Sequence, residues 1–348
     1  MVGSIRTQRR ANLRRPLGYG AATMIDKLNI SAHLHHRHAS PALSLMCAAD
    51  DAALENCPRC DEGLIVSAQA DFVRADLCSH LTQCKTCRGK GLRQVVDAQG
   101  YELHVPCPLA ALKRKQGLFN GAQLPAHFET ATWKSFDRNR QSEAFRLVND
   151  AFARITTAGL DAQGRLKTNV RGIGLAGPPG VGKTHLLVAL ARAMTLELGA
   201  SLRYTDFSRL LWDLKSCYAR GDNESQLLRP LLEVDVLIVD ELGKGRASDW
   251  ELNILDNLVC GRYDRGGFTC VATNYPLSTP SVIDNRRADE LAHSIHAGVE
   301  TLAARVGPRI DSRLQSMCQW LIMTGDDFRS QSPQQRLPMR KPSLPSRS

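Results

Sequence analysis

The chain has 348 residues, of which 43% are hydrophobic, 23% are charged and 5% are aromatic, and its formal net charge at pH 7 is +10. This balance is ordinary for a globular protein and excludes a wholly disordered or fibrous chain. Because no apolar run approaches the roughly 18 residues that span a bilayer, an integral membrane protein is excluded and a cytoplasmic location is the default expectation.

The positive charge is concentrated at the two ends of the chain. Residues 1–49 carry seven Lys or Arg against one Asp, and residues 329–348 carry five Lys or Arg with no acidic residue. The rest of the chain is therefore close to neutral. We predict basic, disordered tails over residues 1–49 and 330–348, which either add salt-dependent attraction to phosphate backbones or only solubilise the protein.

A cysteine-rich segment over residues 50–108 predicts a small zinc-binding docking domain. Two CxxC pairs, each able to hold two thiolates on one side of a tight turn, are separated by 23 residues. A strand-turn-strand pattern follows each pair and ends in further candidates. The eight candidate ligands are Cys57, Cys60, Cys78, His80, Cys84, Cys87, His104 and Cys107. They allow two zinc ions, one per hairpin, or a single structural ion held by four of the eight.

Residues 109–135 are expected to be a linker. The composition changes there to a basic, helix-like stretch from Pro108 to Gly121 and then to Gln123-Leu124-Pro125. We therefore predict a hinge in this segment, followed by a second domain over residues 136–329.

The segment from Gly172 to Ala176 predicts a short buried strand that leads into a phosphate-binding loop. The loop reads G-x-x-x-x-G-K-T, and an Ala/Leu-rich helix pattern continues to Leu198. Lys183 can reach the β- and γ-phosphates of ATP, and Thr184 can ligate Mg²⁺. The predicted nucleotide-binding residues are Gly177, Pro178, Pro179, Gly180, Val181, Gly182, Lys183, Thr184, His185 and Asp240.

Two later strands supply polar residues at their carboxyl ends. Four apolar residues lead into Asp240 and Glu241, and the apolar stretch 268–272 precedes Asn274. In a parallel sheet such ends lie beside the phosphate loop. We predict that Asp240 holds the Mg²⁺ shell and that Glu241 polarises the attacking water. By spacing alone Asn274 is only a turn residue.

The order of these motifs resembles AAA+ ATPases of the bacterial replicative-helicase loader family, the DnaC/DnaI type, and the related IstB-type transposition ATPases. The resemblance is carried by the zinc segment from Cys84 to Cys107 and by Leu124-Pro125, Trp133, Phe136, the phosphate loop, Val239-Asp240-Glu241-Leu242-Gly243, Gly261-Arg262-Tyr263, Thr273-Asn274-Tyr275, Arg309 to Leu314 and Gly325 to Arg329. It implies an α/β fold: an AAA+ P-loop NTPase core with a central parallel sheet, preceded by the zinc-binding domain. Because only 35 residues follow Arg313, we expect no C-terminal helical lid.

The resemblance also assigns roles to individual residues. It implies that Asn274 is the first sensor and that Arg313 is an arginine finger, which reaches the γ-phosphate bound by a neighbouring subunit. Arg309, one helical turn earlier, is the reserve candidate. These roles make hydrolysis depend on a homo-oligomer.

Single-stranded DNA is a further ligand that the resemblance implies. The helix-like run from Phe207 to Arg220 combines basic and aromatic residues, so that Arg209, Lys215 and Arg220 are candidate DNA contacts. Its apolar spacing equally describes an amphipathic helix on the sheet, with Phe207, Leu211 and Leu214 in the core.

Together these features predict an ATP-dependent DNA replication protein that loads the replicative helicase onto single-stranded DNA, with ATP, Mg²⁺ and Zn²⁺ as cofactors. The alternative is an IstB-like ATPase that helps a DNA transposase. The zinc segment favours the loader, because a helicase-docking module usually holds that position in the family. A scaffold that binds ATP without hydrolysing it is opposed by the intact set from Lys183 to Arg313.

Overall fold

The computed structural model of the protein describes residues 57–81, 92–96, 99–161, 165–167, 170–277 and 300–330. These residues form two antiparallel hairpins and a five-stranded parallel sheet with helices on both faces. Among them, no helix combines the length and the apolar character that a bilayer crossing needs. The predicted tail over residues 1–49 lies outside the described residues, as does the second tail after residue 330.

The two hairpins confirm the two strand-turn-strand predictions. Strands β1 (Leu64–Gln69) and β2 (Phe72–Leu77) pair from Leu64 opposite Leu77 to Gln69 opposite Phe72. Strands β3 (Leu92–Val96) and β4 (Glu102–Pro106) form the second hairpin. The first hairpin has a buried side, since Leu64, Val73 and Ala75 are at most 5% exposed.

Helix α1 (Pro108–Gly121) connects the hairpins to the rest of the molecule, and it corrects the prediction of a linker over residues 109–135. Phe119 and Leu124 are fully buried and share one core cluster with Val73 of β2 and with Leu187, which follows the phosphate-loop motif. The backbone N–H of Val73 donates to Leu124 O at 2.8 Å. This segment is therefore a packed part of the core and not a hinge, because its buried aromatic and aliphatic side chains tie β2 to the sheet.

The central sheet has the strand order β6-β7-β8-β5-β9, and every neighbouring pair is parallel. Its strands are β5 (Gly172–Ala176), β6 (Leu202–Asp206), β7 (Val236–Asp240), β8 (Phe268–Thr273) and β9 (Cys318–Ile322). Every residue of β5, β7 and β8 is buried, as expected for strands covered on both faces. Because the strands are parallel, all their carboxyl ends lie along one edge of the sheet.

Helices cover both faces of the sheet. Helices α2 (Ser142–Ala158) and α3 (Lys183–Ala193) belong to the core cluster that contains α1, and α3 continues as a π-helical turn to Leu198. Helices α4 (Phe207–Ala219), α5 (Ser225–Glu233), α6 (Asp249–Asp264), α7 (Leu302–Val306) and α8 (Pro308–Met317) form the second cluster. Side chains cap the N-termini of α4, α6 and α7. At α6, Ser248 and Glu251 form a capping box, which stabilises the helix by about 1 kcal/mol.

Arg262 of α6 is a structural residue. It is 1% exposed, and its guanidinium donates to backbone carbonyl groups of the α5–β7 connection and of β8, including Asp235 O at 3.1 Å and Phe268 O at 2.8 Å. Burial lowers its pKa to about 10. A Cβ atom on Gly267 would lie 2.4 Å from Arg262 Cζ, so only glycine fits beside this buried cation. The Gly261-Arg262-Tyr263 stretch therefore joins three elements of the core.

Candidate nucleotide site

The predicted phosphate loop lies at the carboxyl edge of the sheet, between β5 and α3. Gly180 and Gly182 have φ values of 83° and 99°, which L side chains rarely adopt. Lys183 Nζ donates to Gly177 O and to Pro178 O, each at 2.7 Å. The loop is thus folded around its own lysine, and its turn geometry requires the predicted glycines.

Lys183 is electrostatically poised to receive an anion. Burial lowers the pKa of Lys183 to about 8, the charges of Asp240 and Glu241 oppose this shift, and the positive charge of Arg329 adds to it. Oxygens of a phosphate group would favour the charged lysine, because an opposite charge nearby stabilises the protonated form. The loop can therefore bind a polyphosphate through this side chain.

Asp240 lies beside the loop and is held on both carboxylate oxygens. Thr184 Oγ1 and Tyr204 Oη each donate to Asp240 Oδ2 at 2.7 Å, and the backbone N–H of Glu241 donates to Oδ1 at 2.8 Å. Burial raises the pKa of Asp240, while the hydrogen bonds from Thr184 and Tyr204 lower it. The structure thus brings together the two residues predicted to hold Mg²⁺. Tyr204 was not predicted, because a tyrosine in a buried strand carries no sequence motif.

Glu241 and Asn274 also meet at this edge. Asn274 Nδ2 donates to Glu241 Oε2 at 3.2 Å, and Lys244 Nζ lies 3.4 Å from the same oxygen. Glu241 has a φ of 54°, a conformation that costs a non-glycine residue about 1–3 kcal/mol and clusters at functional sites. The Asn274 amide and the Lys244 ammonium thus both contact the Glu241 carboxylate at the carboxyl end of β7.

A segment near the end of the described chain crosses the loop. The backbone N–H of Phe328 donates to Gly180 O at 3.1 Å, and a Cβ atom on Gly180 would lie 1.9 Å from Asp327 Oδ1. The guanidinium of Arg140 lies 5.1 Å from the centre of the Phe328 ring. The resemblance drew attention to this stretch, but the sequence assigned it no role because its contact with the loop bridges about 150 residues.

His185, at the start of α3, faces the segment that precedes α2. Its Nε2 lies 3.1 Å from Ser135 Oγ, and its ring centre lies 5.6 Å from that of Phe136. Burial lowers the pKa of His185. The other predicted loop residues differ in exposure: Val181 is buried, whereas Pro178 and Pro179 are exposed.

The two arginine-finger candidates lie on α8, against α6. Arg313 Cζ is 5.9 Å from the centre of the Tyr263 ring, and within the described part of the chain its Nε is buried without a hydrogen-bond partner. Arg309 Nε lies 3.5 Å from Asp256 Oδ1, and its side chain is 68% exposed. Of the three predicted catalytic residues, Glu241 and Asn274 contact each other. The contact described for Arg313 is instead with Tyr263.

Helix α4 confirms the amphipathic reading of residues 207–220. Phe207, Leu211 and Leu214 are buried in the second core cluster. The three basic candidates all have acidic partners: Arg209 with Asp71, Lys215 with Glu251 and Arg220 with Asp222. Trp212 is 68% exposed on the same helix. The surface of α4 therefore presents the exposed Trp212 ring together with three basic side chains that are paired with acidic residues.

Three of the eight predicted metal ligands come together in the first hairpin. The Sγ atoms of Cys57, Cys60 and Cys78 lie within 4.8 Å of one another, and the Cys57 and Cys78 sulfurs are 3.8 Å apart. That separation fits tetrahedral zinc, because Zn–S bonds of about 2.3 Å give sulfurs about 3.8 Å apart. A backbone hydrogen bond from Arg59 lowers the pKa of Cys57, and burial raises that of Cys60.

The remaining metal candidates are not part of this group. Cys84 and Cys87 lie outside the described residues, as does the side chain of His80. His104 is exposed on β4, and Cys107 is buried at the start of α1. The choice between one and two zinc ions therefore stays open, with the first hairpin supplying three thiols.

Comparison with known proteins connects the site to a group of relatives. Residues 118–289 match the family of IstB-like ATP binding proteins. The phage-like element PBSX protein XkdC of Bacillus subtilis is 29% identical over 201 residues, which cover 56% of this chain and 70% of XkdC. The replicative helicase loader DnaC of Escherichia coli K12 is 26% identical over 164 residues, 47% of this chain and 58% of the loader. A crystal structure of the DnaC helicase loader is matched over 57% of this chain and 99% of that chain, at 25% identity and a TM-score of 0.44.

Proposed function

We propose that this chain carries an AAA+ ATPase domain of the DnaC/IstB type and that it loads a replicative helicase onto single-stranded DNA. One observation favours a helicase loader over a transposition helper. It is the hairpin with the three thiols of Cys57, Cys60 and Cys78, which packs on the ATPase core. The match to IstB-like proteins is the reason to keep a transposase helper as the second candidate. Both functions use the same ATPase site.

Nucleotide binding is the first step of the mechanism. Lys183 exchanges the carbonyl groups of Gly177 and Pro178 for oxygens of the β- and γ-phosphates. Thr184 and Asp240 are the oxygen donors that fit Mg²⁺, a cation that prefers carboxylate, hydroxyl and phosphate ligands. When bound, Mg²⁺ neutralises charge on the phosphates. Arg329 lies close enough to Lys183 for its charge to lower the pKa of that lysine, so its guanidinium is a further candidate contact for the phosphates.

Hydrolysis is the second step, and Glu241 is its general base. The water oxygen forms a bond to the γ-phosphorus while the bond to the ADP oxygen breaks, and the water proton passes to the Glu241 carboxylate. Asn274 keeps Glu241 in position through its amide, which donates to Oε2. The group that completes the site is Arg313 of an adjacent subunit, so that hydrolysis requires assembly.

The surface of α4 is the proposed contact for single-stranded DNA. Trp212 exposes an aromatic face on which a base can stack, a contact worth about 1–3 kcal/mol per base. Lys215 Nζ lies 5.1 Å from the Trp250 ring centre, and the Tyr218 and Trp250 rings are 6.0 Å apart. Aromatic rings beside cations are the combination that single strands need, because bases stack while phosphates are neutralised.

The first hairpin is expected to bind one zinc ion per chain, and this binding is expected to require Cys57 and Cys60. Three thiolates fit the ion, and the hairpin has little apolar core of its own. We expect the protein to contain at least one zinc per chain and a Cys57→Ser, Cys60→Ser double variant to contain one fewer. The measurement is metal content by plasma mass spectrometry, with melting temperature before and after a chelator.

Cys260→Ser is the matched control, since Cys260 lies outside the three-thiol group and its sulfur contacts Asp256. This variant is expected to keep the full zinc content. An unchanged zinc content in the Cys57→Ser, Cys60→Ser variant would remove the first hairpin as a metal site.

Capture of the helicase tests the proposed function directly. We expect a tagged Glu241→Gln protein, held in the ATP-bound state, to retain its host's replicative helicase in a stoichiometric complex. The Cys57→Ser, Cys60→Ser change added to Glu241→Gln is expected to lose the helicase while it still binds a fluorescent ATP analogue, which shows that the ATPase core remains folded. Size-exclusion chromatography with light scattering gives the stoichiometry.

Two outcomes contradict the loader, and one contradicts only the docking role of the hairpin. Recovery of a transposase in place of the helicase supports the IstB-like helper. Helicase binding that is unchanged by the cysteine substitutions removes the hairpin as the docking element. A wild-type protein that shows no ATP turnover with DNA and partner present supports a nucleotide-binding scaffold.

A further inference from the structure

Tyr204 is a buried side chain at the nucleotide site to which neither the motifs nor the relatives assign a role. It lies on β6, is 8% exposed, and donates its hydroxyl to Asp240 Oδ2 at 2.7 Å. Strands β6 and β7 are paired in register, with Tyr204 opposite Ile238 and Asp206 opposite Asp240. The Tyr204 hydroxyl therefore reaches the Asp240 carboxylate from β6, which flanks β7 on the side away from β8.

The hydrogen bonds of Asp240 leave its carboxylate with a single defined orientation. Oδ2 accepts from both Tyr204 and Thr184, whereas Oδ1 accepts from the backbone of Glu241. A hydroxyl group carries two lone pairs besides its hydrogen, so Thr184 could ligate Mg²⁺ and still donate that hydrogen to Oδ2. Without Tyr204, the carboxylate would be held by one side-chain donor instead of two.

Hydrogen bonds to the end of α1 and to the residue after it hold Tyr204 and its neighbour Arg203 in place. Its N–H donates to Ala122 O at 2.9 Å, and Arg203 Nη1 donates to Gly121 O at 2.7 Å. The same segment accepts from β2, since the N–H of Val73 donates to Leu124 O. The segment after α1 thus covers the β6 edge of the sheet. The backbone of Tyr204 is held by this segment on one side and by β7 on the other.

We propose that Tyr204 is a positioning residue that holds the Asp240 carboxylate in the orientation required for Mg²⁺ binding. This inference rests on the proposed assignment of Asp240 to the Mg²⁺ shell. The hydrogen bond favours the ionised carboxylate in a buried site, and a charge-assisted bond of this kind is stronger than a neutral one. Tyr204 acts through Asp240 and does not itself touch the nucleotide.

Tyr204→Phe tests the proposal because it removes one hydroxyl and keeps the ring that fills the core. We expect the Mg²⁺ concentration for half-maximal ATP hydrolysis to rise roughly tenfold, with a smaller fall in kcat at saturating Mg²⁺. ADP binding in excess EDTA is expected to stay unchanged.

Tyr101→Phe is the matched control, since Tyr101 is 68% exposed and precedes β4. Asp240→Asn separates the inference from its premise. If Asp240→Asn leaves the Mg²⁺ dependence unchanged, the assignment of Asp240 is wrong. If Asp240→Asn alters that dependence while a folded Tyr204→Phe protein keeps the wild-type Mg²⁺ midpoint, Tyr204 only fills space and the proposal is overturned.

Discussion

Glu241→Gln is expected to lower the rate of ATP hydrolysis by roughly 10²–10⁴-fold, the range of a general-base contribution. An amide cannot accept the proton of the attacking water, whereas the hydrogen bond with Asn274 and the backbone φ of 54° can both be retained by glutamine. ATP binding is expected to remain, because Lys183, Thr184 and Asp240 are unchanged. Phosphate release and binding of a fluorescent ATP analogue measure the two effects separately.

Glu233→Gln is the matched control for this substitution. Glu233 is exposed at the end of α5, where it pairs with Arg229, so its loss is expected to leave turnover unaltered. A Glu241→Gln protein that hydrolyses ATP at the wild-type rate would show that another residue is the base.

Arg313→Ala is expected to lower hydrolysis in the assembled protein by roughly 10³–10⁵-fold, the contribution of an arginine finger. The side chain already lies on α8 beside Tyr263, which is 46% exposed, and its Nε has no hydrogen-bond partner among the described residues. The proposed partner of the Arg313 guanidinium is the γ-phosphate bound by a neighbouring subunit. Binding of ATP to the monomer is expected to be unchanged, since the finger acts across an interface.

Mixing two inactive variants distinguishes a finger from a structural arginine. Arg313→Ala subunits keep an intact Glu241, and Glu241→Gln subunits keep an intact Arg313, so mixed assemblies are expected to regain part of the activity. Arg309→Ala in the same assay decides between the two candidate arginines. Arg229→Ala is the control, because Arg229 pairs with Glu233 on the surface. No recovery on mixing would contradict a role in trans.

Features that depend on neighbouring residues could be predicted from the sequence. The loop glycines, Lys183 and Thr184 follow one another, and the apolar strands before Asp240 and Asn274 are continuous runs. Parallel pairing then brings the strand ends to one edge of the sheet, where Thr184 contacts Asp240 and Glu241 contacts Asn274. The sequence placed Asp240 beside the loop, whereas spacing alone made Asn274 only a turn residue. The third thiol, Cys78, followed from the hairpin pattern for the same reason.

Features that depend on long-range packing could not be predicted. The basic run Lys113 to Lys115 made residues 109–135 look like a linker, although Leu112 and Phe119 of the same helix are buried. A helix with a charged face and a narrow apolar stripe reads as exposed until its partner is known. Likewise, the contact of Phe328 with Gly180 joins distant parts of the chain, and no local pattern signals it.

Because the first hairpin packs on the ATPase core, the proposed docking element and the ATPase core cannot be exchanged independently of each other. Val73 and Ala75 share a hydrophobic cluster with Phe119 and Leu187, so a hairpin borrowed from a relative would have to match that surface as well as its own target. If the hairpin is the docking element, substitutions that change its partner are expected on its outward side, because its inward side is fixed by the packing on the core.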